Sequence, residues 1–590
     1  MKRPLRLKLL QGCSVALVAV GAVGCVDHDY DLSEDIDLTI SLGGDNLTVP
    51  GSSTEQIFLS KILDLNEGSS IKAVEVDGMY GLAKGDYVLL QEGSSSPSYF
   101  DVEEVSIGHI NGSKSTTALP EFYNVTGATS VSQTTQMILN TMRLSDDNVT
   151  TDLVSLSSAD VDVNLTIAVG YTSPDFSGTA YIEKGYDVVF DPCWTVEPGD
   201  AATAAILENV DYHTLRFKQR YGITASRQLV AKVRITHADL TKVPQGQGLY
   251  APGKFLIENE VETYGNVSID LADLPIGARA NISVVTDINV SDARLLKVRG
   301  IVDPKIDIAE TTFDINDIPD FLSDPANNLD MSNPQITLSI VNNSPLSLTL
   351  EGLLTSYADG KAIAEVGIGA FYGTDVVMVD ANATTDIVIS REPVASAARN
   401  IVVPGLSSLL STVPDRISFH DAKSKAVAQP AEFVLGSTYT FDCDYNAVIP
   451  LAFGEAMQLH YTHIENEWDE DLSDYDFNTA VVTADVVNTI PLDMTPSAVP
   501  LNVAGDEFAN VDVTVDGKVP AGTVDKPSKA QISITLQSKG ATLDGLDGVK
   551  LLFDAIANRD FVGVNLNENQ SIKFENIRIT IKGGVLVDLN

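Results

Sequence analysis

Apolar residues recur at every second position over much of this chain, and that period restricts the fold more than any other feature. Ile336, Leu338 and Ile340 share one parity, as do Leu346, Leu348 and Leu350, then Val511, Val513 and Val515, and again Ile532, Ile534 and Leu536. Successive side chains of a strand point to opposite faces, so a period of two means extended segments with one face buried. Near the C-terminus Ile572 and Phe574 keep one parity while Ile577, Ile579 and Ile581 keep the other. A single strand can carry both sets only with an extra residue between them, which places a β-bulge near Asn576. Helical spacing is confined to Thr134 to Met142, Leu406 to Leu410 and Val549 to Ala557. The expected fold is all-β, with several immunoglobulin-like β-sandwich domains in series and few short helices.

A chain of 590 residues exceeds what one core supports. An internal repeat indicates how it divides. "IVNNSPLSLT" from Ile340 and "VVNTIPLDMT" from Val486 match at Asn342 with Asn488, Pro345 with Pro491, Leu346 with Leu492 and Thr349 with Thr495. Their separation is about one domain length. In each copy a strand should end at the Asn, turn through the Pro and continue as its neighbour, because Pro cannot donate to a central ladder. The turn-rich "NDIPDFLSDPANN" from Asn316 precedes the first copy, and the acidic "ENEWDEDLSDYD" from Glu465 precedes the second. Both read as linkers. The resulting partition is an N-terminal β region over 41–305, as one large or two smaller domains with a Ser-rich surface loop at "EGSSSPS" from Glu92. A β-sandwich follows over 306–470, and a C-terminal sandwich over 471–590. Residues from about 474 onward should hold their own core and fold alone, with the last strand central to it.

The N-terminus has a different character. Lys2, Arg3, Arg6 and Lys8 precede an apolar run from Leu9 to Gly24 that ends in small residues, the layout of a secretory signal peptide over 1–24. The run is too short to cross a bilayer as a helix. At Cys25, within "GAVGCVDHDYDLSEDID", small apolar residues give way to carboxylates. Ala22-Val23-Gly24-Cys25 resembles the lipobox of bacterial lipoproteins, which implies cleavage before Cys25, a lipid on its thiol, and an acidic tether over 25–40. Leu10-Gln11-Gly12-Cys13 has a similar form, but cleavage there would leave almost no apolar run after the charges. Cys25 followed by Asp27, Asp29, Asp31, Glu34 and Asp35 resembles surface lipoproteins of Bacteroidota, whose acids after the lipidated cysteine act as an export signal. That resemblance implies a lipid-anchored protein of the outer membrane facing the cell exterior. The segments "LLKVRGIVDPKIDI", "DIPDFLSDPANNLDMSNPQITLSIVNNSPL" and "IKFENIRITIKGGVLVDLN" resemble uncharacterised surface or outer-membrane lipoproteins of gut Bacteroidota, a group that brings no activity with it. Asp27, Asp29 and Asp31 also have the spacing of a helix-loop-helix calcium site, but Leu32 stands where the turn glycine belongs and Leu38 where the bidentate Glu belongs.

Charge narrows the partners. The net charge is −43, and removing residues 1–24, with four of the 38 bases and none of the 81 acids, takes it to −47. Such a field repels nucleic acid and anionic head groups, so no nucleic-acid partner is expected and membrane contact should run through the N-terminal lipid. The stretch "GLYAPGK" from Gly248 has phosphate-loop glycines and lysine, but Phe255 replaces the magnesium-binding hydroxyl, and a β-turn is expected instead.

The densest group of chemistry-bearing residues is His460, His463, Glu465, Glu467, Trp468, Asp469, Glu470 and Asp471. In an extended segment the odd spacing puts His460 and His463 on opposite faces, so they cannot chelate one ion. Glu465, Glu467, Asp469 and Asp471 form a calcium candidate that ranks behind a solvated linker. Cys193 and Cys443 could form one disulfide or remain separate thiols. Glycoside hydrolysis would need paired carboxylates and aromatic platforms, and only Trp194 and Trp468 supply indoles. No enzymatic activity and no cofactor are expected. The leading expectation is a lipid-anchored surface protein displaying sandwiches for binding or adhesion, with a polysaccharide or another surface protein as partner. The alternatives are a glycan-capture lipoprotein beside an outer-membrane polysaccharide-uptake system, a subunit of a surface appendage and, last, a glycoside hydrolase.

Overall fold

The computed structural model describes residues 40–42, 46–50, 53–63, 65–125, 128–395, 397–466, 477–540, 542–543, 545–583 and 585–587. Regular structure within them is overwhelmingly antiparallel strand, with a parallel pair where Asn400–Val402 lies beside Ala383–Ser390.

Three sandwiches of one topology follow one another among the described residues. In the first, Leu153–Thr172 lies between Ser283–Val302 and Leu229–Asp239, and the opposing sheet sets Lys254–Tyr264 between Ile138–Asp146 and Asp187–Val189. In the second, Gln335–Asn342 lies between Ser437–Pro450 and Ala383–Ser390, opposite Arg416–Ala426 between Thr311–Asp314 and Leu348–Ala358. In the third, Thr479–Asn488 lies between Ser571–Lys582 and Ser528–Ser538, opposite Leu546–Ala557 between Gln458–Glu465 and Leu492–Asn502. The repeat seen in the sequence therefore marks the same place twice. Asn342 and Asn488 each end the central strand, and the chain then crosses to the opposing sheet at Leu348–Ala358 or Leu492–Asn502.

Each closing strand takes a neighbour from the first 120 residues, in reverse order. Asn46–Pro50 and Ile57–Phe58 pair with Ser571–Lys582 of the third sandwich. Tyr87–Ser94 and Ser98–Val102 pair with Ser437–Pro450 of the second, and Lys114–Ala118 pairs with Ser283–Val302 of the first. The N-terminal segment thus runs from the third sandwich to the first, while the rest of the chain runs from the first to the third. An unpaired closing strand would be an open template for other chains, and this threading covers all three.

These pairings cut across the linear partition. Residues 46–58 and 87–102 belong to the third and second sandwiches, not to an N-terminal unit ending at 305. Gln458–Glu465 pairs with Leu546–Ala557, so the third sandwich begins before residue 471. The stretch from Asn316 is a connection inside its sandwich, joining the opening strand to the central one, and most of the stretch from Glu465 lies outside the described residues.

Two of the three helical readings are corrected. Thr134 to Met142 falls largely in the strand Ile138–Asp146, where Ile138, Asn140, Met142 and Leu144 all point inward and are buried. Asn140 disguises the pattern. It is polar yet wholly buried, its Nδ2 donating to the carbonyls of Ser113 (2.7 Å) and Thr286 (3.1 Å), so the apolar residues beside it read as i, i+4. Val549 to Ala557 is part of the strand Leu546–Ala557, paired on both sides, with apolar residues on both parities. Leu406 to Leu410 is helical, as a 3₁₀ segment Pro404–Leu410. The bulge near Asn576 is present: Thr483 pairs with Arg578 and Asp485 with Glu575, so Ala484 faces two residues, and Asn576 has φ 52°.

Candidate functional sites

Cys25, the rival Cys13, and Asp27, Asp29, Asp31, Glu34 and Asp35 lie outside the described residues. The chain that follows them does not. Ile40–Leu42 pairs with Val585–Val587 at the end of the last sandwich, which sets the exit of the N-terminal segment beside the C-terminal strand.

Cys193 and Cys443 do not pair; they are free thiols in different sandwiches. Cys193 is fully buried, and its Sγ accepts from Asn259 Nδ2 at 3.2 Å while Asn259 Oδ1 accepts from Trp194 Nε1 at 3.1 Å. The group ties the two sheets of the first sandwich together. Burial pushes the Cys193 thiol far up, and burial with the neighbouring Asp444 pushes Cys443 up to about 11, so neither is a thiolate at neutral pH. Trp194 is equally inaccessible, which removes it as a sugar platform.

Gln458–Glu465 is extended, as the reading of His460 and His463 required. His460 Nδ1 lies 2.7 Å from Asp554 Oδ1, its register partner on the adjacent strand, so it is engaged in a cross-strand pair. Glu465 ends the strand; Glu467, Trp468, Asp469, Glu470 and Asp471 lie outside the described residues. Among the described residues no three His, Cys, Asp or Glu side chains are grouped to hold a metal. "GLYAPGK" is a hairpin: Gly248–Ala251 turns through Pro252 and Gly253, φ 71°, into Lys254–Tyr264. "EGSSSPS" does not reverse the chain: Tyr87–Ser94 and Ser98–Val102 run on in one direction along Ser437–Pro450, and Ser95, Ser96 and Pro97 link them.

Two side-chain constellations emerge that no local pattern announces. On the second sandwich, Asp421 Oδ2 lies 3.1 Å from His420 Nδ1, and His420 Nε2 lies 2.8 Å from Thr355 Oγ1. The order acid, imidazole, hydroxyl is that of a nucleophilic triad. Thr355, however, is buried, and its hydroxyl also reaches Glu365 Oε2 at 3.4 Å. A substrate carbonyl has no approach to Oγ1, and the arrangement acts as a tie across three strands.

On the first sandwich, Arg220 lies 3.5 Å over the Tyr181 ring, bonds Asp270 Oδ1 at 3.0 Å and Ser268 Oγ at 3.1 Å, and pairs with Glu183 at 3.1 Å. Hydrogen bonds from Arg220 and Tyr181 hold the Asp270 carboxyl below its ordinary range, and the same bond raises the Tyr181 phenol. Gly222 faces Tyr181 in register, and a Cβ there would come within 3.3 Å of the ring. Held between guanidinium and backbone, this ring has little face left for a ligand. Residues 37 to 89 positions apart meet here, which is why sequence spacing does not reveal the network.

No model of a known protein family matches the chain, and no curated protein matches it. Among solved structures, a "putative secreted protein" of Parabacteroides distasonis is 18% identical, over 49% of this chain and 83% of that one, with a TM-score of 0.33. A structure of Sulfolobus Turreted Icosahedral Virus is 9% identical, over 82% of this chain and 92% of that one, with a TM-score of 0.11. Likenesses of this degree carry no argument about fold or function. Among the described residues no helix is long and apolar enough to cross a membrane.

Proposed function

We propose that this chain is a non-enzymatic cell-surface lipoprotein, anchored through Cys25 at the outer membrane, whose sandwiches are displayed for binding or adhesion with the first outermost. The observation that supports this reading is the pairing of Ile40–Leu42 with Val585–Val587. It puts the start of the folded chain at the third sandwich, fifteen residues from Cys25, and a fully extended tether of that length reaches at most about 50 Å. Hydrogen bonds then join the third sandwich to the second, through Asp86 with Asn565 and Asn567, and the second to the first, through Ala431–Val434 beside Ser283–Val302. The carboxylates after Cys25 serve both as tether and as export signal. Burial of Trp194 counts against glycan capture by that indole.

The test is Cys25→Ala with cell fractionation and with epitopes placed in the turn at 244–247 of the first sandwich and at 503–506 of the third. The variant should leave the membrane fraction, and in the parent chain antibody on whole cells should reach the first epitope more readily than the second. Continued membrane association of Cys25→Ala, with lipid labelling intact, would remove the anchor. Equal access to both epitopes would remove the orientation.

A further inference from the structure

The second sandwich is incompletely filled. Between its sheets lies a cavity of about 110 Å³, walled by Leu338 and Cys443 from one sheet and by Leu350 and Phe419 from the other. Sandwich interiors normally pack to the density of organic crystals, with few voids larger than a water molecule. Leu338, Leu350, Phe419 and Cys443 are only half-buried although they lie at the cavity wall.

The reason lies in the opening strand. Thr311–Asp314 has four residues, whereas its equivalents Ile138–Asp146 and Gln458–Glu465 have nine and eight. The opposing sheet is therefore short along this edge, and the irregular chain before Thr311 closes the gap. There the amide of Ala309 donates to Ser98 Oγ at 3.4 Å, and Ser95, Ala309 and Thr311 form the rim. An edge held this loosely can part without breaking a strand ladder.

The lining selects the ligand. Nearly all of the wall is aliphatic or aromatic, so water inside would find few partners, and an engineered apolar cavity of roughly 150 Å³ is dry and takes up benzene. The wall follows the central strand from Ile336 to Ile340, roughly 13 Å at 3.3 Å per residue, which favours a chain over a ring. Glu351, the one charged residue among the lining residues described, follows Leu350 in the strand, so its side chain turns to the outer face, where Oε1 accepts from the Phe371 amide at 3.2 Å and Lys423 is its register partner. An anionic head group would find no base among the lining residues described to offset its charge. We propose that the second sandwich binds the end of an unbranched aliphatic chain with an uncharged head, entering between Ser98 and Ala309. This goes beyond the surface-anchor reading and does not depend on it.

The test uses the full chain with decanol as ligand, read by displacement of the neutral fluorophore N-phenyl-1-naphthylamine and by alkylation of Cys443 followed by peptide mass spectrometry. Decanol should displace the fluorophore and slow Cys443 alkylation at least fivefold, and decanoate should bind at least tenfold more weakly. Leu350→Phe, which fills the void, should lower decanol affinity at least tenfold while leaving thermal unfolding unchanged or raised. The smaller filling Cys443→Leu gives a second variant if the first misfolds. Absence of decanol binding to the parent chain, unchanged affinity in the filled variant that folds, or equal binding of decanoate would overturn the proposal.

Discussion

Asn342 and Asn488 are buried and hold equivalent turns in neighbouring sandwiches through matching contacts. Asn342 Oδ1 accepts from the Ser344 amide at 2.8 Å, and its Nδ2 donates to the carbonyls of Leu346 (2.7 Å) and Asp380 (2.8 Å). Asn488 Oδ1 accepts from the Ile490 amide at 2.8 Å, and its Nδ2 donates to the carbonyls of Ile490 (3.1 Å), Leu492 (3.5 Å) and Pro520 (2.8 Å). Each carboxamide thus joins its own turn to a third segment more than 30 residues on. Asn342→Ala removes three bonds to backbone groups and Asn488→Ala four, only some of which keep another donor, and each change should cost about 3 kcal/mol in denaturant unfolding. Asp, which cannot donate through its second oxygen, should not rescue either position.

The bulge at Asn576 calls for a residue that tolerates a left-handed backbone. Its φ is 52°, and its Nδ2 donates to Asp485 Oδ2 at 2.8 Å. Asn576→Gly should lie within about 0.5 kcal/mol of the parent, whereas Asn576→Val should cost about 1–2 kcal/mol through steric strain. Thermal unfolding of the two variants separates conformational need from the lost hydrogen bond, since both lose the latter.

The third sandwich depends on a strand that is more than 400 residues away in sequence. Ser571–Lys582 is central, as expected, but one of its neighbours comes from residues 46–58. Thr54 and Leu59 add amide bonds to the carbonyls of Phe574 (2.9 Å) and Gln570 (2.7 Å). Residues 458–590 expressed alone should therefore melt without a sharp transition, and a peptide covering 40–63 supplied in trans should restore it. A sharp transition without the peptide would show the donated strand to be dispensable.

Alkaline pH should loosen the joint between the donated segment and the third sandwich. Tyr87 is buried, its amide donates to the Leu566 carbonyl at 2.8 Å, and burial, with Glu568 adding to it, pushes its phenol up to about 12. A folded-state value above the ordinary 10 means that the fold favours the neutral phenol. That stability is complete below pH 10 and disappears as pH rises toward 12. Tyr87→Phe, which cannot ionise, should reduce the loss across this window in pH-jump unfolding.

Neutralising the acids behind the anchor separates tether from signal. With Asp27, Asp29, Asp31, Glu34 and Asp35 changed to Asn or Gln, the chain should remain lipidated and membrane-bound but face the periplasm. Protease shaving of whole cells reads the difference directly: the parent is cleaved and the variant protected.

The all-β class, the bulge at Asn576 and the equivalence of Asn342 with Asn488 follow from the sequence alone, because each rests on local geometry. A period of two, a change of parity and an Asn-Pro turn constrain residues a few positions apart. Even locally the pattern misleads where a buried polar residue such as Asn140 interrupts it. Tertiary structure alone decided which strands meet. Nothing in residues 46–118 states that they complete three sandwiches in reverse order, since a strand presents the same hydrogen-bonding edge to any partner and its choice is made by which apolar faces can be buried together. The same holds for Thr355, His420 and Asp421, for Arg220 over Tyr181, and for the cavity beside Leu350. Each is assembled from segments whose separation along the chain has no bearing on their distance in space.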